Sequence, residues 1–197
     1  MTSNSSNKIG HVAIIMDGNS RWARQRNLKT IEGHKQGVNR LRDIVKYSAK
    51  SEITHLSVFA FSTENWKRSA SDVSDLMKLF LQSIIKEVPE LIENKVQLNF
   101  IGDIPRFSKS LVSQINSAMK DTQAKKPNLN LNVAISYGGR WDILNAIKRI
   151  KDHKINTDKL SEDEFSNLLS TSDFPDPDLL IRTGDEIRIS NFFLWQI

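Results

Sequence analysis

The chain reads as α/β: a single domain with a mostly parallel central sheet flanked by helices. Three observations carry that reading. Apolar runs of strand length alternate with longer segments whose apolar residues recur at helical spacing, and strands separated by helices favour parallel pairing. The apolar runs stop at clusters of Asp, Gly, Asn, Ser or Arg, as strands do when they end in polar loops. The 197 residues, with 39% hydrophobic and 26% charged side chains, suffice for one globular domain. No repeat, low-complexity tract or linker divides them. Residues 1–8 read as a flexible N-terminus and residues 9–197 as the domain.

The first strand spans residues 12–16 and stops at Asp17-Gly18-Asn19-Ser20, after which Arg21 and Trp22 open a helix. Beyond Gly33 and His34, a second helix turns Val38, Leu41, Ile44 and Val45 inward and Lys35, Asn39, Arg42 and Lys46 to water. Residues 56–61 form the next strand, ending in Ser62-Thr63-Glu64-Asn65-Trp66-Lys67-Arg68. The longest helix is expected over 71–94, capped by Ser71 or Asp72, with a kink or break at Pro89. Its apolar stripe reads as core, the alternative being that part of it lines a cavity for an apolar ligand. Residues 96–101 form a third strand and 108–122 a modestly amphipathic helix. Leu129, Leu131, Val133 and Ile135 alternate with Asn130 and Asn132, which predicts a strand with one wetter face. It ends at Tyr137-Gly138-Gly139-Arg140-Trp141-Asp142, and helix continues over 143–150. A polar connector, a short helix over 161–170 and a Pro175-Asp176-Pro177 break precede the last strand, 178–181, and its loop from Arg182 to Asn191.

In a parallel sheet the loops at 17–21, 62–68, 138–140 and 182–190 share one edge. Arg21, Arg68, Arg182 and Arg188 then converge on Asp17. Free amides at a helix N-terminus attract phosphate, and the Arg fork donates two hydrogen bonds to it at once. Asp17 alone would repel a phosphate, and Mg²⁺ between the two resolves the conflict. The pattern predicts a diphosphate site, against the plainer alternative that Asp-Gly-Asn is only a turn. Neither common nucleotide-binding glycine motif is present. His34 is placed near the site, whereas His11, His55 and His153 read as structural or exposed. The absence of cysteine excludes thiolate catalysis and fits a reducing compartment. With no apolar run of bilayer length and no apolar signal core, a cytoplasmic protein is expected, in peripheral contact with a membrane at most. The net charge of +5 suits an anionic ligand. Because the Trp residues sit in the motif loops and are not interleaved with Lys and Arg, no nucleic-acid partner is expected.

Residues 11–23, 61–66 with Arg68, 132–142 and 181–192 together resemble the cis-prenyltransferase family, in its undecaprenyl diphosphate synthase-like form. The resemblance spans nearly the whole chain. It implies a homodimeric enzyme that extends farnesyl diphosphate with isopentenyl diphosphate, uses Mg²⁺, and grows its product in an apolar tunnel. Such a product partitions to the membrane as a cell-wall lipid carrier. Carried over by position, Asp17 engages Mg²⁺ and the allylic diphosphate and is catalytic together with Asn65. Gly18, Asn19, Ser20, Arg21, Trp22 and Arg24 form the loop around that diphosphate, and His34 lies near the leaving group. Ser62, Thr63, Glu64, Trp66 and Arg68 belong to the second loop, and Arg182, Arg188 and Ser190 to the isopentenyl diphosphate site. Helix 73–92, with Leu41 and Ile44, matches the tunnel wall. The alternative is a noncatalytic subunit, a class that generally loses the Asp-Gly-Asn loop kept here.

Three positions depart from the family pattern. Ser20 replaces a Gly, Thr30 follows Lys29 where a basic residue is usual, and Asp185 replaces the second Gly of Arg-Thr-Gly-Gly-Glu. The family's following segment, with its Glu, has no counterpart after Ile197. A C-terminally truncated form is therefore expected, in which Phe192, Phe193, Leu194 and Trp195 expose an apolar patch.

Overall fold

The computed structural model describes residues 8–197. The N-terminus expected to be flexible lies outside the described residues except for Lys8, which pairs with Glu52 at 3.3 Å. Strand β1 (His11–Ile15) is followed by α1 (Asn19–Arg24), α2 (Thr30–Ser48), β2 (His55–Ser62), α3 (Ala70–Glu93) and β3 (Val96–Ile101). Then come α4 (Lys109–Asp121), β4 (Leu129–Tyr137), α5 (Gly139–Asp152), α6 (Glu162–Ser166) and β5 (Leu179–Arg182). The five strands pair in parallel in the order β3-β4-β2-β1-β5, the α/β sheet that the alternating pattern predicts.

The sheet places the site. The chain leaves β1 for β2 on one side and comes back with β5 on the other, so the order reverses about β1. In open α/β sheets the crevice beyond the carboxyl ends at such a reversal is where ligands bind. Ile15 pairs with Phe59 and with Arg182, and Ser62 with Tyr137. The loops after β1, β2, β4 and β5 therefore begin along one edge.

Alternation along the strands divides the interior in two. Val12, Ile14, Leu56, Val58, Leu131 and Val133 face a core shared with α2, α3 and α4. Ala13, Ile15, Phe59, Ala134 and Tyr137 face a second core built with Phe192 and Phe193. The wetter face expected on β4 is a buried polar ladder. Asn99 donates to Asn132 Oδ1 at 3.0 Å, and Asn132 donates to Ser57 Oγ at 3.2 Å. His11 Nε2 lies 2.8 Å from the same hydroxyl, while its Nδ1 lies 2.6 Å from the Pro175 carbonyl. Buried amides persist because each finds partners. Burial also holds the His11 pKa below its ordinary value.

Several local expectations need correction. Ser69 caps α3, in place of Ser71 or Asp72, by accepting from the Asp72 amide at 3.2 Å. The helix runs through Pro89 without a break. Pro89 and Ile85 are both exposed, so a carbonyl deprived of its N–H partner there is open to water. Ile44, expected inward, is 37% exposed, whereas Arg42 and Lys46 turn to acidic partners on α3. Phe192 and Phe193, expected to lie in an exposed patch, are 0% exposed. Positive φ values at Ser190, Asn191 and Phe193 fold the chain back over the sheet, where Phe192 stacks on Phe59 at 4.5 Å. Trp195 remains partly exposed while donating to Ser166 Oγ at 2.8 Å.

Candidate active site

Asp17 stands just past β1, where the Gly18 amide donates to its Oδ1 at 2.7 Å. Gly18 has φ of 95° and Gly184, in the loop after β5, has φ of 85°. A Cβ on Gly184 would lie 2.8 Å from the Gly18 nitrogen. Both positions thus need glycine, for backbone angle and for the close approach of the two loops. That approach brings Arg182 to Asp17: Nη2 donates to Oδ2 at 2.6 Å, and Nη1 donates to Ser190 Oγ at 2.7 Å. Arg21 donates to the Gly184 carbonyl at 2.7 Å and lies 3.6 Å from Glu186 and 3.9 Å from Asp185. Arg188 pairs with Glu186. The arginines of this edge are thus held partly by the chain's own carboxylates.

The electrostatics follow. Burial pushes the Asp17 carboxyl up, but the Arg182 hydrogen bond, the Gly18 amide and the charges of Arg182 and Arg21 outweigh it and hold the pKa low. His34 is held below its ordinary value by burial first and by the Arg68 charge second, with Asp72 opposing. Among the described residues, His34 Nε2 and Arg182 Nε are buried without a hydrogen-bond partner. Unpaired buried polar groups of this kind are costly unless a ligand completes them.

A cavity of about 670 Å³ opens at this edge and extends between α2, α3 and the sheet. Of the residues expected at the site, Asp17, Asn19, His34, Ser62, Glu64, Asn65, Arg68, Arg182, Arg188 and Ser190 line it. Asn65 also shapes the loop, accepting from the Ser62 amide at 3.0 Å. Leu41, Val45, Leu76, Met77, Phe80 and Ile84 form its apolar wall. Only Ile84 and Leu91 of α3 are fully buried, so much of the stripe read as core lines the cavity, and Ile44 takes no part.

Other expected residues do not reach it. Gly18 shapes the loop, and Ser20 has no left-handed backbone angle, as its replacement of Gly requires. Arg24 is exposed, and Trp22 lies under the Arg26 guanidinium at 4.4 Å. Arg21 meets the loop after β5, and Thr63 donates to Glu64. Trp66 packs against Phe61 and Phe107 and donates to Ser136 Oγ at 2.9 Å, a packing role. At the mouth, Arg140 and Asn191 also line the cavity without having been expected there. Asn191 accepts from the Arg140 amide at 2.9 Å and donates to Glu64 at 2.8 Å, joining three loops. The position of Arg140 in the loop after β4 was the signal available for it.

A polar, cation-rich mouth over an apolar chamber suits an anionic headgroup with a long apolar tail. No group of three or more His, Cys, Asp or Glu among the described residues could hold a metal unaided. Among the described residues, no helix is long and apolar enough to cross a membrane.

Comparison with known proteins agrees with this chemistry. A prenyltransferase family model described as undecaprenyl diphosphate synthase matches residues 15–197. An isoprenyl transferase of Neisseria meningitidis is 46% identical over 187 residues, covering 95% of this chain and 74% of the relative. A ditrans,polycis-undecaprenyl-diphosphate synthase of Coxiella burnetii, specific for (2E,6E)-farnesyl diphosphate, is 46% identical over 190 residues, 94% of this chain and 80% of the relative. The crystal structure of lavandulyl diphosphate synthase from Lavandula x intermedia, in complex with dimethylallyl diphosphate, superposes with a TM-score of 0.90. It is 36% identical and is matched over 95% of this chain and 83% of that one. Sequence, fold and site agree: the chain belongs to the cis-prenyltransferase family and is a transferase of prenyl groups.

Proposed function

We propose that this protein condenses isopentenyl diphosphate onto farnesyl diphosphate, in repeated cycles, to make a long-chain polyprenyl diphosphate of the undecaprenyl type. The observation that carries the proposal is the union of the Asp17–Arg182 mouth with the apolar chamber behind it.

In this reaction the allylic C–O bond breaks, diphosphate departs with the electron pair, and the isopentenyl double bond attacks the allylic carbon before losing a proton. The donor set fits Mg²⁺: Asp17 is a hard carboxylate beside a diphosphate cradle, and Mg²⁺ commonly takes one or two carboxylates plus substrate phosphates. When bound, Mg²⁺ supplies Lewis-acid charge to the leaving diphosphate. Asp17 holds it, while the Asn19 side chain, the free Nε2 of His34 and Arg68 orient the allylic diphosphate. Arg182, Arg188 and Ser190 bind isopentenyl diphosphate. These preoriented donors favour the developing negative charge with little rearrangement. Leu41, Val45, Leu76 and Phe80 keep water from the allylic cation.

A homodimer is the proposed assembly, supported by exposed Leu144 and Ile147 on α5 and Ile181 on the edge strand β5. The apolar product is proposed to pass to a membrane from a protein working in the cytoplasm. Incubation with farnesyl diphosphate, labelled isopentenyl diphosphate and Mg²⁺, followed by sizing of the lipid, tests the proposal. Absence of labelled polyprenyl product would overturn it.

A further inference from the structure

The cavity mouth is assembled from loops far apart in sequence, and a reaction between two bound diphosphates needs those loops in fixed register. In the proposed function, Arg68 of the loop after β2 serves the allylic diphosphate. Arg188 and Ser190 of the loop after β5 serve isopentenyl diphosphate. Asn191 joins the two loops directly. Its Nδ2 donates to Glu64 Oε1 at 2.8 Å, across 127 positions of sequence. Glu64 immediately precedes Asn65 in the turn Thr63–Lys67, and Asn191 immediately follows Ser190. Both partners of the bond line the cavity together with Asn65, Arg68 and Ser190.

The rest of Asn191 is committed to holding it there. Its side-chain oxygen accepts from the Arg140 amide at 2.9 Å, and its carbonyl accepts from the Gly139 amide at 2.7 Å. Two amides at the start of α5, which lack partners within the helix, are thus capped from the loop after β5. The backbone of Asn191 is left-handed, with φ of 63°, an angle that Asn and Asp tolerate. A Cβ on Gly138 would lie 2.6 Å from Asn191 Nδ2 and 2.7 Å from Thr63 Oγ1. The loop after β4 therefore leaves the space in which the other two loops meet. Burial raises the Glu64 pKa, but hydrogen bonds led by the one from Asn191 outweigh it and hold the carboxyl below its ordinary value. An amide that donates to an ionised carboxylate makes a stronger bond than a neutral pair does. Capping α5 uses only the two oxygens of Asn191. The bond from Nδ2 to Glu64 is surplus to that task, and it runs between the two substrate loops.

We propose that Asn191 is a positioning residue for the condensation, and that its bond to Glu64 holds the allylic loop in register with the isopentenyl loop. It acts through the neighbours of the two bonded residues, Asn65 on one side and Ser190 on the other. The inference rests on the chain-lengthening reaction proposed above. Misplacing reacting groups by about 1 Å costs on the order of a hundredfold in rate. Loss of the bond should therefore fall on the condensation step and spare the binding of either substrate alone.

The test reverses the bond. Asn191→Asp keeps the left-handed angle and the oxygen that caps α5, where a negative charge is favourable. It replaces only the donor to Glu64, setting two carboxylates face to face. Three quantities are read: the single-turnover rate of the first condensation at saturation, the KM for each substrate, and the number of farnesyl diphosphate sites per chain by calorimetry. Asn191→Asp should slow the condensation about ten- to a hundredfold, with both KM values within about threefold of wild type and the site count unchanged. Glu64→Gln alone keeps an acceptor for the amide and should cost less than about threefold. Glu64→Gln combined with Asn191→Asp restores a donor facing an acceptor and should return the rate to near wild type. A wild-type rate in Asn191→Asp, or no rescue in the combination, overturns the proposal. So does a raised KM with the rate intact, which would make Asn191 a substrate-binding residue. If Asn191→Asp loses sites, Glu64→Leu decides, since it removes the bond from the other side and leaves the α5 cap alone. It should slow the condensation to the same degree, and a wild-type rate there overturns the proposal. Failure of the wild-type protein in the first condensation would instead overturn the chain-lengthening reading.

Discussion

Arg182 donates to Asp17 Oδ2 at 2.6 Å, which joins the end of β5 to the end of β1 across the mouth of the cavity. The two side chains are 11% and 32% exposed, and a charged hydrogen bond so sheltered is stronger than a surface ion pair. Diphosphate recognition at this mouth must share or displace that bond. Under the proposed function, the carboxylate assigned to the metal and the guanidinium assigned to isopentenyl diphosphate are thus already coupled.

Replacement Asp17→Ala should lower kcat about 10²–10³-fold, the usual cost of losing one preorganised group opposite developing charge. The thermal midpoint should fall modestly, since the Arg182 hydrogen bond is lost but no core side chain is removed. Steady-state turnover with farnesyl and isopentenyl diphosphates, alongside a circular-dichroism melt, measures both. Near-normal turnover would remove Asp17 from the mechanism.

The lowered pKa of Asp17 links stability to pH with a definite sign. A carboxyl whose folded-state value lies below its unfolded value stabilises the fold fully above the ordinary aspartate value. That contribution is lost as pH falls through the folded value. Wild type and Asp17→Asn should therefore differ by a constant stability above about pH 4 and converge below it. Urea titrations across that range read the difference, and parallel curves throughout would contradict the assignment.

Burial first and the Arg68 charge second hold the His34 pKa below its ordinary value. Inorganic diphosphate bound at the mouth would offer its unpaired Nε2 an anionic acceptor and favour the protonated ring. Its titration, followed by the ring-proton NMR signals, should shift upward when diphosphate and Mg²⁺ are added. No shift would place the anion away from His34.

Much of this architecture is written into local pattern. The strand at 96–101 is found where its apolar run predicts it, and the polar loop after each catalytic strand falls on one edge. What local pattern does not carry is long-range partnership. Asn132 looks solvated in sequence because only the fold supplies Asn99 and Ser57. Trp66 sits in a motif loop yet packs against Phe107, forty-one residues away in sequence. The apolar stripe of α3 has the same period whether it meets a core or a chamber. Arg42 and Lys46 have the spacing of a wet helix face, and their partners lie on another helix.

The fold-back at the end of the chain is the largest such surprise, and it has a measurable consequence. Phe192 is wholly buried between Phe59 and Phe193, with ring centroids 4.5 and 4.0 Å away. Phe192→Ala should cost about 3–5 kcal/mol of stability through lost burial and the cavity left behind. Denaturant unfolding gives the value. A loss below about 1 kcal/mol, the scale of ordinary surface substitutions and smaller than core truncations, would mean that the aromatic stack does not hold this segment to the sheet.

Asp185 is the residue at which this chain departs from its family beside the proposed isopentenyl diphosphate site, and two effects compete there. Its φ of 61° is left-handed, an angle Gly adopts freely and Asp tolerates. Its carboxylate is fully exposed 3.9 Å from Arg21, so its charge is screened but still draws on a cation of the mouth. Asp185→Gly should lower the KM for isopentenyl diphosphate about two- to threefold, a screened surface-charge effect. Stability should change little, because relief at the left-handed angle is offset by the greater freedom of Gly in the unfolded chain. Asp185→Asn separates the causes, since it removes the charge while keeping a side chain suited to that angle. If charge dominates, Asn and Gly lower KM alike; if backbone freedom dominates, only Gly does. A KM unchanged or raised in both variants would show that the carboxylate points away from the bound diphosphate, leaving Glu186 as the acidic competitor for Arg21 and Arg188.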